Sequence, residues 1–308
     1  MSPAELLVGP AAIETAPCGA CGQPGPAEPL FRCRERVFRR DDAVFTVGRC
    51  GRCGHVFLSE RPPEAGIGRY YPDGYDAHRK ADAPSPRKKS RRHRFITRKP
   101  PFRVLDVGCG SGYDLLRFRE EGCEVYGVET DPGAAARARE KGIRVHAGAV
   151  ESADFGDARF DVVTMNFSLE HLYDPRAALA NVRRMLAPDG MVYLLFPTAD
   201  SWAFRRFGPD WHHLDPPRHL QFFTRASFSR LCEETGFRIA HYGGQSGTRG
   251  LRRSLALRGE RSPLSRALHA LSRWSVTHWF LRVLMRFVVD PLGGGDVAEV
   301  VLRRSDGS

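Results

Sequence analysis

VLDVGCGSG, residues 104–112, joins an apolar run to three glycines at alternate positions, Gly108, Gly110 and Gly112. The apolar run predicts a buried parallel strand, and Tyr113–Glu121 predicts the helix that follows it. Glycines in such a turn let the backbone approach a ligand closely, because no Cβ atom intrudes. The sequence therefore predicts a ligand at the carboxyl end of a first strand, above a helix N-terminus.

The spacing of the glycines and the acid that follows them bear on which nucleotide is bound. The dinucleotide fingerprint is G-x-G-x-x-G, whereas here the third glycine comes one residue early. A second predicted strand, Cys123–Val128, ends in Glu129, whose carboxylate is placed to accept hydrogen bonds from both ribose hydroxyls. The alternative for Glu129 is an acid at the N-terminus of the helix that begins near Pro132.

Six motifs in order across residues 100–245 make the chain resemble the class I S-adenosylmethionine-dependent methyltransferases. They are DVGCGSG at 106–112, VETDP at 128–132, FDVV at 160–163, LEHLYDP at 169–175, LAPDG at 186–190 and FP at 196–197. The resemblance implies an α/β fold, a Rossmann-like seven-stranded sheet with helices on both faces. It also implies S-adenosyl-L-methionine as cofactor, with these binding residues: Asp106, Gly108, Gly110, Gly112, Glu129 and Asn166.

A candidate general base follows the predicted fourth strand, Phe160–Met165. Glu170 and His171 stand there, and ubiquinone-type O-methyltransferases carry a further metal-binding acid three residues before this pair. This chain has Phe167 at that position, so we predict no catalytic magnesium. His171 is either a general base or a residue that orients its own loop.

WHHLDPPRHL at 211–220 follows the predicted fifth strand, Met191–Phe196. A similar string occurs in relatives, and we interpret it as a loop that covers the acceptor. His213 and His219 are candidate catalytic bases there, and Arg218 would hold an acceptor anion such as phosphate. The alternative is a rigid loop with structural histidines.

Two C-x-x-C pairs near the N-terminus predict one structural zinc ion with four thiolate ligands. The ligands are Cys18, Cys21, Cys50 and Cys53. The 28 residues between the pairs exceed the usual spacing, which costs only about 0.4 kcal/mol of extra closure entropy. Structural zinc contributes on the order of 10 kcal/mol in small modules. A redox-active pair is an alternative, as are Cys33 or His55 as substitute ligands.

The chain divides into three predicted parts: a zinc-ribbon-like module at 1–78, a basic linker or helix at 79–100, and a methyltransferase domain at 101–308 with an insertion at 245–295. The net charge of +11 is concentrated in two segments, because residues 79–99 contain ten Lys or Arg and residues 249–289 contain nine Arg. The cysteine module is nearly neutral, with nine Arg against ten acids in residues 1–78.

These features favour methyl transfer to a small-molecule or carrier-linked acceptor, with a sugar or glycan intermediate preferred. That preference comes from resemblance to methyltransferases with a cysteine module and a tyrosine-rich segment, here Tyr70, Tyr71 and Tyr75, some of which act on deoxysugar nucleotides. An RNA methyltransferase is the second hypothesis, disfavoured because the basic run contains Phe95 as its one aromatic residue. A non-catalytic binding protein with the same fold is the third.

The cysteine content and one amphipathic segment bear on where the protein is located. No signal peptide is apparent, and eight cysteines without one indicate reduced thiols or metal ligands, so we predict a cytoplasmic protein. Trp274–Val289 predicts an amphipathic helix with arginines on its polar side. Ordinary packing would explain that helix, but peripheral contact with the inner face of the membrane through residues 251–289 is also predicted.

Overall fold

The computed structural model describes residues 12–38, 42–71, 95–96, 99–260, 262–272, 281, 283, 285, 290 and 294–305. Backbone contacts divide the chain into two compact units. The cysteine unit comprises Met1–Tyr71, Phe196–Phe228 and Gly243–Ala298, and the glycine-loop unit comprises Pro72–Leu195, Ser229–Tyr242 and Glu299–Ser308. Tyr75, most of the basic segment 79–99 and most of the predicted helix Trp274–Val289 lie outside the described residues.

The strands in chain order are β1 (Glu14–Thr15), β2 (Glu28–Arg34), β3 (Val44–Arg49), β4 (Val56–Arg61), β5 (Arg103–Val107), β6 (Glu124–Glu129), β7 (Arg144–Ala147), β8 (Phe160–Asn166), β9 (Leu186–Pro197), β10 (Gln221–Phe222), β11 (Phe237–Gln245) and β12 (Val297–Arg304). The α-helices are α1 (Tyr113–Glu120), α2 (Pro132–Glu140), α3 (Pro175–Met185), α4 (Trp202–Phe207), α5 (Arg225–Glu234), α6 (Thr248–Gly259) and α7 (Pro263–Leu271).

The larger sheet has seven strands in the order β11-β12-β9-β8-β5-β6-β7. Its centre is parallel, because β5 pairs with β6 and β8, β6 with β7, and β8 with β9 in that sense. Parallel strands of this kind are buried on both faces, which explains why Val104, Leu105 and Val163 are fully buried. The predicted α/β class and seven-stranded sheet are confirmed.

Local signals set the ends of several elements. The Asp174 side chain accepts a hydrogen bond from the Ala177 N–H at 2.9 Å, and Pro175 occupies the first helical position of α3, as the sequence predicts. The fifth strand is longer than predicted, since β9 begins at Leu186. A register irregularity between Phe160 and Val162 lets Leu186 pair with Phe160 before the main pairing resumes at Met191.

The smaller sheet belongs to the cysteine unit and is antiparallel. Its order is β1-β4-β3-β2, and β10 also pairs with β4, where Gln221 lies opposite Phe57. The predicted boundaries assigned the 211–220 loop and the 245–295 insertion to the methyltransferase domain. In the structure both lie in the compact unit that contains the cysteine pairs.

Within the part of the chain that the structure describes, no helix combines the length and the apolar character that a bilayer crossing requires.

Candidate functional site

The glycine loop after β5 has the conformation that its composition predicts. Gly108, Gly110 and Gly112 have φ angles of 75°, 54° and 80°, which residues with a Cβ atom rarely adopt. A Cβ atom on Gly108 would lie 3.0 Å from the Ser168 Cβ, and one on Gly112 would overlap the Ile143 Cδ1. The loop therefore keeps its backbone close to the end of β8, where a larger residue would fill the space.

Glu129 ends β6 beside this loop, as the sequence predicts. Its carboxylate is 7% exposed and accepts hydrogen bonds from the Gly110 N–H at 2.7 Å and the Asp131 N–H at 2.9 Å. The acid and the glycine loop thus meet at the carboxyl edge of neighbouring parallel strands, the edge at which open α/β sheets bind ligands. The helix-terminal alternative does not describe this geometry, because Asp131 caps α2.

Three polar side chains complete this edge within the glycine-loop unit. Asp106 is buried and accepts a hydrogen bond from the Thr164 hydroxyl at 2.5 Å. The Asn166 Oδ1 and the Ser168 Oγ are buried, and neither has a hydrogen-bond partner among the described residues. Unpaired polar atoms of this kind are costly in a protein interior. Their presence beside the glycine loop fits a polar nucleoside-containing ligand such as S-adenosylmethionine.

Phe167 lies between these two polar residues in a strained backbone conformation. Its φ angle is 55°, and its ring is 43% exposed although Met165 and Leu169 on either side are fully buried. A left-handed conformation at a bulky residue costs about 1–3 kcal/mol and is common at ligand sites. The position that holds an acid in ubiquinone-type enzymes thus presents an aromatic ring at the end of β8.

His171 ends a short 3-10 turn, Leu169–His171, directly after this segment. Its side chain is partly exposed, while the adjacent Glu170 is fully buried. The His171 backbone N–H donates to the Ser168 carbonyl at 3.2 Å, which ties the turn to the end of β8. His171 is therefore placed at the same sheet edge as Asn166, where a proton-transfer role or a positioning role is possible.

The four predicted metal ligands converge in the cysteine unit. The Sγ atoms of Cys18 and Cys53 are 3.5 Å apart, those of Cys21 and Cys50 are 3.7 Å apart, and all four lie within 4.8 Å of one another. A tetrahedral zinc with bonds of about 2.3 Å places its sulfur ligands about 3.8 Å apart. The thiol arrangement therefore fits one zinc ion.

The backbone around the two cysteine pairs repeats the same turn. The Gly22 N–H donates to the Cys18 carbonyl at 2.8 Å, and the Gly54 N–H donates to the Cys50 carbonyl at 2.9 Å. Both glycines have positive φ angles. Burial raises the pKa of the Cys18 and Cys53 thiols, the second to about 11, whereas backbone N–H groups near Cys50 outweigh its partial burial and lower the pKa of that thiol to about 7.

The two alternative ligands lie elsewhere. Cys33 is a buried thiol that donates to the Phe45 carbonyl at 3.7 Å. His55 is fully buried, with its ring nitrogens 2.9 Å from the Gln221 Oε1 and 3.3 Å from the Ser227 Oγ. Burial lowers the pKa of His55 to about 4, so this ring is neutral. Both residues pack the cysteine unit and are outside the four-thiol cluster.

The loop at 211–220 is packed into the cysteine unit. Trp211, Leu214 and Leu220 are 1% exposed or less. The Leu58 N–H donates to the Leu220 carbonyl at 2.9 Å, which fixes the end of the loop to β4. These contacts favour the rigid-loop alternative over a mobile cover.

The hypothesis that Arg218 holds an acceptor anion is wrong. Its guanidinium is fully buried and donates to Asp215 at 2.6 Å, to Glu35 at 3.0 Å and to the Tyr70 carbonyl at 3.0 Å. These partners outweigh desolvation and raise the pKa of the guanidinium. Arg218 therefore holds the loop against the cysteine module, and its donors are directed to protein groups instead of a substrate anion.

The two candidate bases of this loop are both neutral. Burial, and to a smaller extent the neighbouring histidines, lowers the pKa of His213 to about 3. Burial also lowers the pKa of His219, whose Nδ1 lies 2.8 Å from the His213 carbonyl oxygen. A general base works best when its pKa is near the working pH. The low pKa of His213 therefore makes it a weak proton acceptor.

Sequence reasoning missed Asp296, which stands just before β12. It is 5% exposed, and burial raises the pKa of its carboxyl to about 6 despite a hydrogen bond from the Trp211 indole N–H at 3.4 Å. A Cβ atom on Gly250 of α6 would lie 3.3 Å from the Asp296 Oδ2 and 3.4 Å from the His213 Nε2. No periodic pattern marks Asp296, because its partners come from two distant segments of the chain.

We expect Asp296→Asn to stabilise the protein at pH 7.5. The folded state binds the Asp296 proton more tightly than the unfolded state, since the pKa rises from 3.8 to about 6. The wild-type protein therefore loses stability as the pH rises through this range, by at most about 3 kcal/mol. Urea unfolding at pH 4.0 and pH 7.5 measures this. If the free energy of unfolding of Asp296→Asn changed between pH 4.0 and pH 7.5 by as much as that of the wild type, the assignment would be contradicted. Asp189→Asn, at an exposed position, serves as the control.

Comparison with known proteins identifies the family. A family model described as a methyltransferase domain matches residues 75–242. The chain is 31% identical over 126 residues to malonyl-[acyl-carrier protein] O-methyltransferase of Serratia marcescens, covering 40% of this chain and 49% of that protein. It is 30% identical over 159 residues to a ubiquinone biosynthesis O-methyltransferase of Aromatoleum aromaticum, covering 47% and 67%.

One similar solved structure is that of the YcgJ protein of Bacillus subtilis, with 20% identity, a TM-score of 0.46 and coverage of 70% of this chain and 96% of that one. The chain spans about half the length of the first of the curated relatives. The family model covers more than half of the chain and contains the glycine loop and Glu129. The chain therefore belongs to the methyltransferase domain family that its sequence motifs predict.

Proposed function

We propose that this chain transfers a methyl group from S-adenosylmethionine to a small or carrier-linked acceptor, with a sugar or glycan intermediate as the preferred class. The observation that carries the proposal is the meeting of the Glu129 carboxylate with the Gly110 N–H, next to the unpaired Asn166 Oδ1 and Ser168 Oγ. The name of one relative specifies an acyl-carrier protein as its substrate, which supports a carrier-linked acceptor.

S-adenosylmethionine, when bound, supplies a methyl group that its sulfonium makes electrophilic. The residues of this chain bind and orient it, since alignment is the main contribution that a methyltransferase makes to an in-line displacement. Gly108 and Gly110 let the methionine part lie against the backbone, with Asp106 and Gly112 fixing the two ends of the loop. Glu129 accepts hydrogen bonds from the ribose, and Asn166 offers a further polar contact.

An acceptor whose reacting atom carries a proton at neutral pH needs a general base to remove that proton. His171, His213 and His219 remain the proposed candidates, and Asp296 joins them because its pKa of about 6 lies nearer to neutrality than that of His213. Asp296 would take the proton as a carboxylate and return it to solvent. A bell-shaped or sigmoidal rate profile with a lower limb near pH 6, lost in Asp296→Asn, would distinguish it from the histidines.

We propose one structural zinc ion in the cysteine unit. Its ligands are Cys18, Cys21, Cys50 and Cys53, whose mutual distances fit tetrahedral thiolate coordination. The ion would hold the β1 end of the smaller sheet to the β3–β4 turn, because the two pairs lie after β1 and between those strands. Its role is to stabilise the unit, and no chemical step depends on it.

Calorimetry with S-adenosylhomocysteine tests the proposed function. We expect binding of one ligand per chain with a dissociation constant in the micromolar range, on the order of −8 kcal/mol. Absence of binding at millimolar ligand would overturn the enzyme proposal. Binding without transfer of a radiolabelled methyl group to any sugar nucleotide, carrier-linked or RNA acceptor would favour the non-catalytic alternative, and transfer to RNA alone would favour the RNA alternative.

We also propose that a cytoplasmic form of the protein contacts anionic membranes through residues 251–289. Leu264, Leu268 and Leu271 of α7 are 69%, 45% and 48% exposed and share one helix face. The surrounding segment 249–289 has nine Arg against one acid, which complements anionic lipid.

Flotation with phosphatidylglycerol vesicles tests this contact. The double variant L264S/L268S should lose about nine-tenths of the bound fraction, since each buried leucine contributes about 1.5–3 kcal/mol. V37S, at the 63% exposed Val37, should bind as the wild type does. Equal flotation with neutral phosphatidylcholine vesicles, or an unchanged L264S/L268S variant, would argue against the proposal.

A further inference from the structure

Two arginines of α6 form a cationic pair beside the 211–220 loop. Arg249 and Arg253 are both exposed and lie four residues apart, so they share one face of the helix. Both influence His212 electrostatically, and the Arg253 guanidinium lies 3.0 Å from the His212 Nε2. Arg253 therefore contacts the loop, and Arg249 lies near enough to it to contribute to the lowered pKa of His212.

His212 positions Arg253 without cancelling the charge of the pair. Burial first, and then the nearby Arg253, lowers the pKa of His212 to about 4, so the ring is neutral and its Nε2 accepts from the guanidinium. The His212 backbone N–H donates to the Ser254 hydroxyl at 2.9 Å, which fixes the main chain at His212 against α6. The histidine thus acts as a fixed hydrogen-bond acceptor that orients one arginine.

The positive charge of the pair is not compensated locally. Among the described residues, no carboxylate forms an ion pair with Arg249 or Arg253. Asp215 faces His212, but its two carboxylate oxygens accept from the Arg218 guanidinium at 2.6 and 2.9 Å. Two uncompensated guanidinium groups one helical turn apart are suited to a phosphate or pyrophosphate group.

The same helix carries the buried Gly250, which packs against two of the candidate proton acceptors. A Cβ atom at this position would lie 3.4 Å from the His213 Nε2 and 3.3 Å from the Asp296 Oδ2, so the helix fits closely against both groups.

We propose that Arg249 and Arg253, the second of them oriented by His212, bind a phosphate or pyrophosphate group of the acceptor. The proposal rests on the proposed function, and it makes the acceptor a phosphate-bearing molecule. Such a group belongs either to a nucleoside diphosphate-linked sugar or to the phosphopantetheine arm of a carrier. The role that the sequence suggested for Arg218 thereby passes to two arginines on a helix of the insertion.

Calorimetry on the full-length, zinc-loaded chain at low salt tests the site with three probes: inorganic pyrophosphate, thymidine diphosphate and 4′-phosphopantetheine. We expect the wild type to bind pyrophosphate. We also expect it to bind one of the two organic probes more tightly than the other organic probe, which identifies the source of the phosphate. R249Q and R253Q should each raise the dissociation constant about tenfold, the effect of losing one charge-assisted contact.

The control is R32Q/R34Q, which removes two exposed positive charges from β2 in the same unit. This variant should bind all probes as the wild type does. The site would be overturned if the wild type bound none of the three probes at a concentration of about 10 mM. It would also be overturned if the control lost as much affinity as R249Q.

Binding of S-adenosylhomocysteine by every variant separates this proposal from the proposed function. Retained nucleoside binding together with lost pyrophosphate binding in R249Q and R253Q supports the site. Retained nucleoside binding with unchanged pyrophosphate binding in both variants overturns the site and leaves the proposed function standing. A wild type that binds no S-adenosylhomocysteine overturns the proposed function itself.

Discussion

Cys18→Ser is expected to release the zinc ion and to destabilise the cysteine unit more than any other single change considered. In the proposed site four thiolates hold the ion, and the apparent binding energy of structural zinc is about 10 kcal/mol. A three-thiolate site retains part of that energy. We therefore expect the free energy of unfolding to fall by several kcal/mol and the unfolding temperature to fall by roughly 10 °C. Mass spectrometry of metal content should show about one zinc ion per wild-type chain and much less in the variant.

Cys33→Ser is the matched control for this prediction. Cys33 and Cys18 are both buried, but the Cys33 thiol contacts the Phe45 carbonyl and lies outside the four-thiol cluster. The control should therefore keep its zinc. Full zinc retention in Cys18→Ser, or zinc loss in Cys33→Ser alone, would contradict the assignment of the ligands.

Glu129→Ala is expected to weaken binding of S-adenosylhomocysteine by about 100-fold or more. Each hydrogen bond from a ribose hydroxyl to a carboxylate contributes about 1.5–3 kcal/mol, and the proposal gives Glu129 two of them. The substitution also removes the acceptor for the Gly110 and Asp131 N–H groups, which order the glycine loop. Calorimetry and thermal unfolding, measured together, separate lost contacts from lost folding.

Two further variants make this result interpretable. Glu124→Ala removes an exposed acid from the same strand, where it pairs with Arg103, and should leave binding unchanged. Glu129→Gln keeps the size of the side chain and one acceptor oxygen, so it should fold as the wild type does and still lose affinity. Unchanged affinity in a folded Glu129→Gln would refute the ribose role.

Much of the glycine-loop unit could be predicted from the sequence, because its signals are local. The apolar run at Val104–Val107 predicts a buried strand. The three glycines adopt positive φ angles, a backbone conformation that other residues rarely adopt. The Asp174-Pro175 pair marks a helix start by its own hydrogen-bonding chemistry. The parallel topology then brings Glu129 to the loop, since neighbouring parallel strands end at one edge.

The cysteine site was predictable for the same reason. Two C-x-x-C pairs supply four thiols whose spacing within each pair is set by the turn, so the sequence needed only a loop that closes. Composition could not tell which of the other buried polar residues would join them. His55 and Cys33 turn out to satisfy their polar atoms with neighbours in the unit.

The roles of Arg218 and Asp296 depend on contacts between distant segments. Arg218 meets Glu35, which stands 183 positions earlier in the chain, and this partner turns an apparent anion-binding residue into a structural ion pair. Asp296 owes its raised pKa to burial beside Trp211, 85 positions away. Charge and residue type are visible in the sequence, but desolvation and pairing are not.

The sequence by itself determined the α/β class, the glycine loop with its carboxylate and the set of four thiols, because each is encoded by short-range spacing. Only the tertiary structure decided which arginines keep an uncompensated charge and which are already paired. It placed the 211–220 loop and α6 in one unit with the cysteine pairs. The physical reason is that burial and pairing energies arise from contacts across long sequence separations, which leave no periodic trace in the chain.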